Sequence, residues 1–170
     1  MRHGTEFEDF YQANYGRVRA LLRAVLGNTD EADDAAQEAF ARALARWPRV
    51  SGYDSPEAWV RTVALRLPVD SGRRLRRVVR LTAKLQQASS PPEPGPGDGV
   101  TFSALGSALM RLPLREREAL VLHYFADLPA ERIAAERRLP TGTVKARLAA
   151  GRRHLERELA ADPEEARDAR

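Results

Sequence analysis

The chain reads as all-α, two small helical bundles joined by a flexible Pro/Gly-rich linker, the second bundle containing a helix-turn-helix. Three observations predict this. Apolar residues recur at i, i+3 and i+4 along most of the chain, and neither half carries a strand-like alternating run. Ser89 to Gly99 (S-S-P-P-E-P-G-P-G-D-G) holds four prolines and three glycines and offers nothing apolar to bury, so it is expected to be extended and mobile. Pro129 to Leu159 reads as helix, tight turn, helix. The expected organisation is a first bundle over residues 1–85, a linker over 86–102, a second bundle over 103–162 and a frayed polar tail over 163–170.

The elements follow in order. From Phe7 to Leu26 the stripe Phe7, Phe10, Tyr11, Tyr15, Val18, Leu21, Leu22, Val25 and Leu26 predicts a helix, stopped by Gly27 and Asn28. Asn28, Thr29 and Asp30 supply a cap for a second helix, and Glu31, Asp33 and Asp34 suit its positive N-terminal end. That helix is expected to run to about Trp47 with Ala32, Ala36, Phe40 and Leu44 inward. Arg46 to Ser55 reads as a loop with two aromatic edges, Trp47 and Tyr53, and two arginines. Ser55-Pro56-Glu57 opens a third helix, with Trp59, Val60, Val63, Ala64 and Leu67 as its core face. Pro68 should kink or end it, and a further basic helix is expected from Val69 to Leu85. The second bundle opens with a helix over Ser103 to Arg111 and a Leu112-Pro113 break. Another helix is expected over Leu114 to Phe125.

In the helix-turn-helix, Ile133 and Ala134 would bury one face of the first helix. Leu139, Pro140, Thr141 and Gly142 supply the turn, and Thr141 or Thr143 is expected to cap the second helix. Val144, Leu148, Gly151, Leu155 and Leu159 form its inward stripe. Lys145, Ala146, Ala149 and Arg153 point the other way, flanked by Ala150 and Arg152, with Arg147 nearer the core edge. A short helix held by a partner and presenting basic groups fits entry into a DNA major groove. The plainer reading is a helical hairpin with a solvated basic face.

Composition narrows the choices. The chain has 170 residues, no cysteine and three histidines without ligand spacing, which leaves no disulfide and no thiolate metal site. It has no 18-residue apolar run and no signal peptide, so a cytoplasmic location is expected. The net charge is +4, and its excess lies in two places. Seven basic residues against Asp70 alone stand between Arg66 and Lys84, and seven against Glu156 alone between Arg137 and Arg157. Two basic surfaces on one small chain suggest a polyanion touched twice. No Ser/His/Asp set, phosphate-cradling glycine loop or metal cluster argues for an enzyme, and no cofactor or small-molecule substrate is expected.

Asp34, Gln37 and Glu38 share one face of the second helix. The patch admits three readings: a solvated first turn, a magnesium site, or a dock for a basic partner. Magnesium needs several converging oxygens, and no second acidic helix is in view, so no metal is assigned.

Taken together, D-A-A-Q-E-A-F (Asp34 to Phe40), S-P-E-A-W-V-R-T-V-A (Ser55 to Ala64), D-S-G-R-R (Asp70 to Arg74), L-P-L-R-E-R-E-A-L-V-L (Leu112 to Leu122) and G-T-V-K-A-R-L (Gly142 to Leu148) carry a resemblance. Over about residues 6 to 160 the chain resembles a bacterial RNA polymerase sigma factor of the small, two-domain extracytoplasmic-function (ECF) group, with the actinobacterial SigE-like subgroup as a candidate branch. The resemblance implies a promoter-specificity subunit without catalytic chemistry. Its partners would be core RNA polymerase, through the largest-subunit clamp helices and the flap of the second-largest subunit, and promoter DNA. An anti-sigma factor is a candidate further partner.

Position by position, it implies that Asp34, Gln37 and Glu38 dock on the clamp helices, where carboxylates can take charge-assisted bonds from arginines. Arg49 and Tyr53 fall where the family captures an unstacked base of the −10 element, Arg73, Arg74 and Arg77 fall along the basic helix that follows, and Arg66, at the end of the third helix, is a further −10 DNA-binding candidate. Thr143, Lys145, Arg147, Arg152 and Arg153 fall on or beside the helix that reads the −35 element. The chain also departs from its relatives. Arg66 stands where many have Asn, Pro68 is unusual, Arg138 replaces a turn glycine and Ala146 a common Ser. With Ala149-Ala150-Gly151, these leave the middle of the reading face nearly bare of hydrogen-bonding groups. The flanking arginines are then expected to hold phosphate while DNA shape carries much of the −35 readout. The alternative from a different class is a stand-alone helix-turn-helix regulator, whose first bundle senses a ligand or dimerises.

Overall fold

The computed structural model describes residues 2–67 and 104–161, and every regular element among them is helical. The kink at Pro68, the basic helix after it, the linker and the C-terminal tail lie outside the described residues. In chain order the elements are α1 (Arg2–Leu26), α2 (Thr29–Ala45), α3 (Trp47–Val50), α4 (56–67), α5 (Ala104–Arg111), α6 (Leu114–Leu120), a π-helical turn (Val121–Phe125), α7 (Ala130–Arg137) and α8 (Thr141–Ala161).

α1 starts five residues before the expected Phe7. Its buried Val18, Leu21, Leu22 and Val25 meet an alanine face on α2 (Ala32, Ala35, Ala36, Ala39 and Ala43), whose small side chains let the two helices pack closely. Phe40 is the one large group on that face, and it joins an aromatic cluster with Tyr11 and Tyr15 at ring separations of 5.2 and 5.5 Å. Between the helices Gly27 takes φ +71°, and its N–H donates to the Arg23 carbonyl at 2.9 Å. Asn28 caps α2, its Oδ1 accepting the Glu31 N–H at 3.0 Å.

Two expectations fail here. Leu44 is 54% exposed, because the inward register at the end of α2 belongs to Ala43. Trp47 is buried, packed on Phe7 and Phe10 at 5.2 and 4.9 Å, so it is a core anchor and not a loop edge. Burying it folds the start of the expected loop into α3. Ser55 caps α4 as expected, its hydroxyl accepting the Ala58 N–H at 3.1 Å, and Val60, Ala64 and Leu65 point inward.

In the second bundle the expected helix over Leu114 to Phe125 divides. α6 covers seven residues and passes into the π-turn, where the Ala126 N–H reaches back five residues to the Val121 carbonyl at 3.2 Å. The wider turn keeps Val121 and Leu122 buried and turns Tyr124 and Phe125 outward, 62% and 57% exposed. α7 ends at Arg138, a non-glycine residue at φ +53°, and the Leu139 N–H closes the turn on the Ala134 carbonyl at 2.9 Å. α8 starts at Thr141, so the cap position falls to Pro140 and not to either threonine. The Pro140 carbonyl accepts the N–H groups of Thr143 and Val144 at 3.0 and 3.3 Å. Val144, Leu148 and Gly151 are buried, Leu155 is half-buried, and Leu159 has turned out to 39% exposure.

The two bundles touch. Buried side chains from Val18 through Leu65 and from Leu112 through Leu148 form one continuous apolar cluster, with α1 lying against α5, α6 and the π-turn. A Cβ on Gly27 would collide with the Met110 sulfur across that contact.

Candidate nucleic-acid interface and acidic docking face

α2 puts Asp34, Gln37 and Glu38 on its solvent side, because its alanines occupy the other. The neighbouring Asp33 is not part of this face. Arg19 donates to both its carboxylate oxygens at 2.6 and 2.8 Å and Arg23 to both at 3.3 Å. The Arg19 hydrogen bonds, seconded by Arg23, hold the Asp33 carboxyl below the usual carboxylate range against partial desolvation. Glu38 pairs with Arg42 one turn on at 2.6 Å, half exposed, in a contact a competing cation can exchange. An open groove of about 370 Å³ runs beside this face, lined by Asn28, Asp30, Glu31, Asp34, Glu38 and Leu67. Among the described residues no three His, Asp or Glu side chains converge on a metal site. Asp30, Glu31, Asp34 and Glu38 make this groove acidic.

Arg49 is exposed on α3 and Tyr53 on the bend after it, where the Tyr53 N–H donates to the Val50 carbonyl at 3.1 Å and the Gly52 N–H to the Arg49 carbonyl at 3.3 Å. Arg66 is exposed near the end of the described part of α4. Arg73, Arg74 and Arg77 lie outside the described residues.

α8 is fixed against α6 by Gly151, where a Cβ would press within 3.1 Å of the Leu120 side chain. Lys145, Arg152 and Arg153 are exposed, while Thr143 and Arg147 are half-buried toward the core. Two of the basic groups already have partners. Lys145 Nζ lies 3.0 Å from Glu131 on α7, and Arg152 donates to the Tyr124 hydroxyl at 3.0 Å. The Glu131 carboxyl is held below its ordinary range by its own backbone N–H and then by Lys145. Ala146 is exposed, and Ala149 and Ala150 are half-buried. The polar groups thus flank a bare centre, as the sequence suggests. Tyr124 is the group that sequence reasoning missed here, because its exposure depends on the π-turn and no local pattern announces one.

The Sigma-70 region 2 family model matches residues 10–78, and Sigma-70 region 4 matches residues 102–155. The chain is 31% identical over 138 residues to the ECF RNA polymerase sigma factor EcfG of Rhodopseudomonas palustris, covering 81% of this chain and 76% of that one. It is 29% identical to the ECF RNA polymerase sigma factor SigW of Bacillus subtilis, with 90% and 88% covered. Among solved structures it is similar to the sigma factor RpoE co-crystallised with the anti-sigma factor NepR from Bartonella quintana. That match has a TM-score of 0.76 at 22% identity, covering 92% of this chain and 98% of that one, and it speaks for the fold. The RNA polymerase sigma-E factor of Streptomyces coelicolor is 25% identical, so an actinobacterial branch is not singled out. No helix among the described residues is long and apolar enough to cross a membrane. With both sigma-70 regions present in order and a relative of 31% identity matched over most of its length, the chain belongs to the ECF RNA polymerase sigma factors.

Proposed function

We propose that this sigma factor binds core RNA polymerase through Asp34, Gln37 and Glu38 and places its two bundles on the −10 and −35 elements of a promoter. In this reading residues 1–85 form the polymerase and −10 module, residues 86–102 link it, and residues 103–162 form the −35 module. Arg49, Tyr53 and Arg66, with Arg73, Arg74 and Arg77, act on the −10 element. Tyr53 offers a ring on which an unstacked base can rest, and the arginines offer charge to the phosphates. Thr143, Lys145, Arg147, Arg152 and Arg153 act on the −35 element, mainly as phosphate contacts around the alanine centre. The protein works in the cytoplasm, without cofactor or catalytic step, and an anti-sigma factor is a further candidate partner.

The observation that best supports this reading is the separation of charge over the fold. An acidic exposed face on α2 stands apart from a basic exposed face on α8. Run-off transcription with purified core polymerase on genomic fragments tests it. The expected result is initiation at discrete start points that depends on the added chain. Its absence on every fragment overturns the reading.

A further inference from the structure

Tyr124 is exposed yet fixed. The π-turn that carries it is closed by the Ala126 N–H on the Val121 carbonyl at 3.2 Å and by the Leu128 N–H on the Leu122 carbonyl at 3.1 Å. His123 adds a third tie. Its Nδ1 lies 2.7 Å from the Leu128 carbonyl, and since a carbonyl only accepts, Nδ1 carries the proton and donates. The half-buried imidazole stands edge-on to the Tyr124 ring, centroids 4.7 Å apart at 76°. The phenol is left 62% exposed, its hydroxyl accepting from Arg152 Nη1 at 3.0 Å. A ring that far out buries little apolar area, so packing does not explain its place.

Arg152 and Lys145 lie seven residues apart on one edge of α8, two turns or about 10 Å along the axis. Their partners differ in kind. Lys145 is paired with a carboxylate, Glu131 at 3.0 Å, so an anion that reaches it must displace a negative charge and then lie beside it. Arg152 pairs with no carboxylate among the described residues. Its partner is a hydroxyl, which accepts the arginine N–H and still has its own O–H to give. Donors from both side chains are thus left over at one exposed spot. An arriving phosphate can take the phenol O–H and a charge-assisted arginine N–H with no bond of the free chain broken.

We propose that Tyr124 and Arg152 together clamp one phosphate of duplex DNA. Tyr124 then becomes a DNA-contacting residue outside both helices of the helix-turn-helix, with the π-turn as its scaffold. The proposed promoter reading supplies the place of that phosphate, beside the −35 element, and the clamp itself stands without it. Such a contact carries no base information but fixes register on the duplex. It suits a reading face whose alanine centre offers few base contacts. Because the pair is already assembled, little ordering is left for the moment of binding.

The test measures binding of the full chain alone to a short duplex, and of the chain in holoenzyme to a promoter fragment that gives run-off product, each over a range of salt. Tyr124→Phe keeps the ring and removes only the hydroxyl. It should weaken binding about threefold to tenfold on all sequences alike and leave the salt slope unchanged, because a phenol releases no counterion. Its thermal unfolding by circular dichroism should match wild type. Arg152→Ala should weaken binding and lower the slope by about 0.9. In the Arg152→Ala background, Tyr124→Phe should cost less than about twofold, since one phosphate is held by the pair. Methylphosphonate, which removes the charge of a single phosphate, then locates the contact in holoenzyme. One position in the −35 half should cost the wild type about tenfold and the Tyr124→Phe/Arg152→Ala pair less than about twofold. Wild-type affinity for Tyr124→Phe on both probes overturns the clamp. So does full additivity of the two changes, or one methylphosphonate profile shared by wild type and the paired variant. A wild type that binds neither probe overturns clamp and promoter reading together. Coupled losses on the bare duplex, with no run-off product from any fragment, would sink the promoter reading and leave the clamp standing.

Discussion

Two residues take the same left-handed backbone with opposite suitability. Gly27 sits at φ +71° with the Met110 sulfur against its open side, so Gly27→Ala meets both backbone strain and a collision. A loss of about 2 kcal/mol in chemical denaturation is expected. Arg138 sits at φ +53° on the solvent side of the turn after α7, and Arg138→Gly should gain ~1 kcal/mol in the same measurement. Asp33 is the residue through which acid acts. Its carboxyl titrates lower in the folded chain than in the unfolded one, so its contribution is full above the ordinary value of about 4 and disappears as pH falls through the lowered folded value. Asp33→Asn should cost ~1 kcal/mol at pH 7, the arginines being partly exposed, and the gap from wild type should close at the acid end. A gap that persists unchanged at pH 2 would mean that packing, and not the arginine clasp, accounts for the loss. The Gly27 stop and the Asn28 cap are visible in the sequence because both are local chemistry. The destination of Asp33 is not, since its arginines stand 10 and 14 residues away on another helix and could equally have faced solvent.

Elements were legible where burial repeats at helical spacing and misread where a long-range neighbour decides. The stripes of α1 and α8 appear in the structure nearly as written, down to the inward Gly151. The π-turn does not announce itself in V-L-H-Y-F, and it sets Tyr124 and Phe125 at the surface, Tyr124 beside Arg152. Trp47 looked like a loop aromatic because its partners, Phe7 and Phe10, are about forty residues earlier. The exposure of Asp34, Gln37, Glu38, Lys145, Arg152 and Arg153 was legible, since an exposed helix face is fixed once its buried face is known. On α8 the bare alanine centre predicts weak base discrimination. Arg153→Ala should weaken promoter binding on all sequences alike and reduce the salt slope by about 1, whereas single −35 base changes should each cost less than that substitution. Losses of 1–3 kcal/mol at several individual bases, of the size bidentate contacts give, would refute shape-led readout. On α2, Asp34→Arg with Glu38→Arg should abolish co-purification with core polymerase and leave thermal unfolding unchanged, because neither side chain is buried.

At the scale of the molecule, the sequence divides the chain at its proline-rich stretch, yet buried residues on either side of that stretch form one cluster. The contact was not legible: Arg61 and Glu136 are 75 residues apart and each, alone, reads as a surface charge. A shared core has a thermodynamic consequence. Small domains whose cores are continuous unfold as one unit, and independent ones unfold separately. Both tryptophans, Trp47 and Trp59, lie in the first bundle, so tryptophan emission reports that bundle alone while far-UV circular dichroism reports the helices of both. Leu148 lies in the second bundle, 4% exposed, and Leu148→Ala should cost 2–5 kcal/mol through the cavity it leaves. If the bundles fold together, that change lowers the midpoint seen by tryptophan emission as much as the midpoint seen by circular dichroism, although no tryptophan has been touched. If the emission midpoint stays where it was while circular dichroism splits into two steps, the contact between the bundles is too weak to couple them, and each must be treated as its own folding unit.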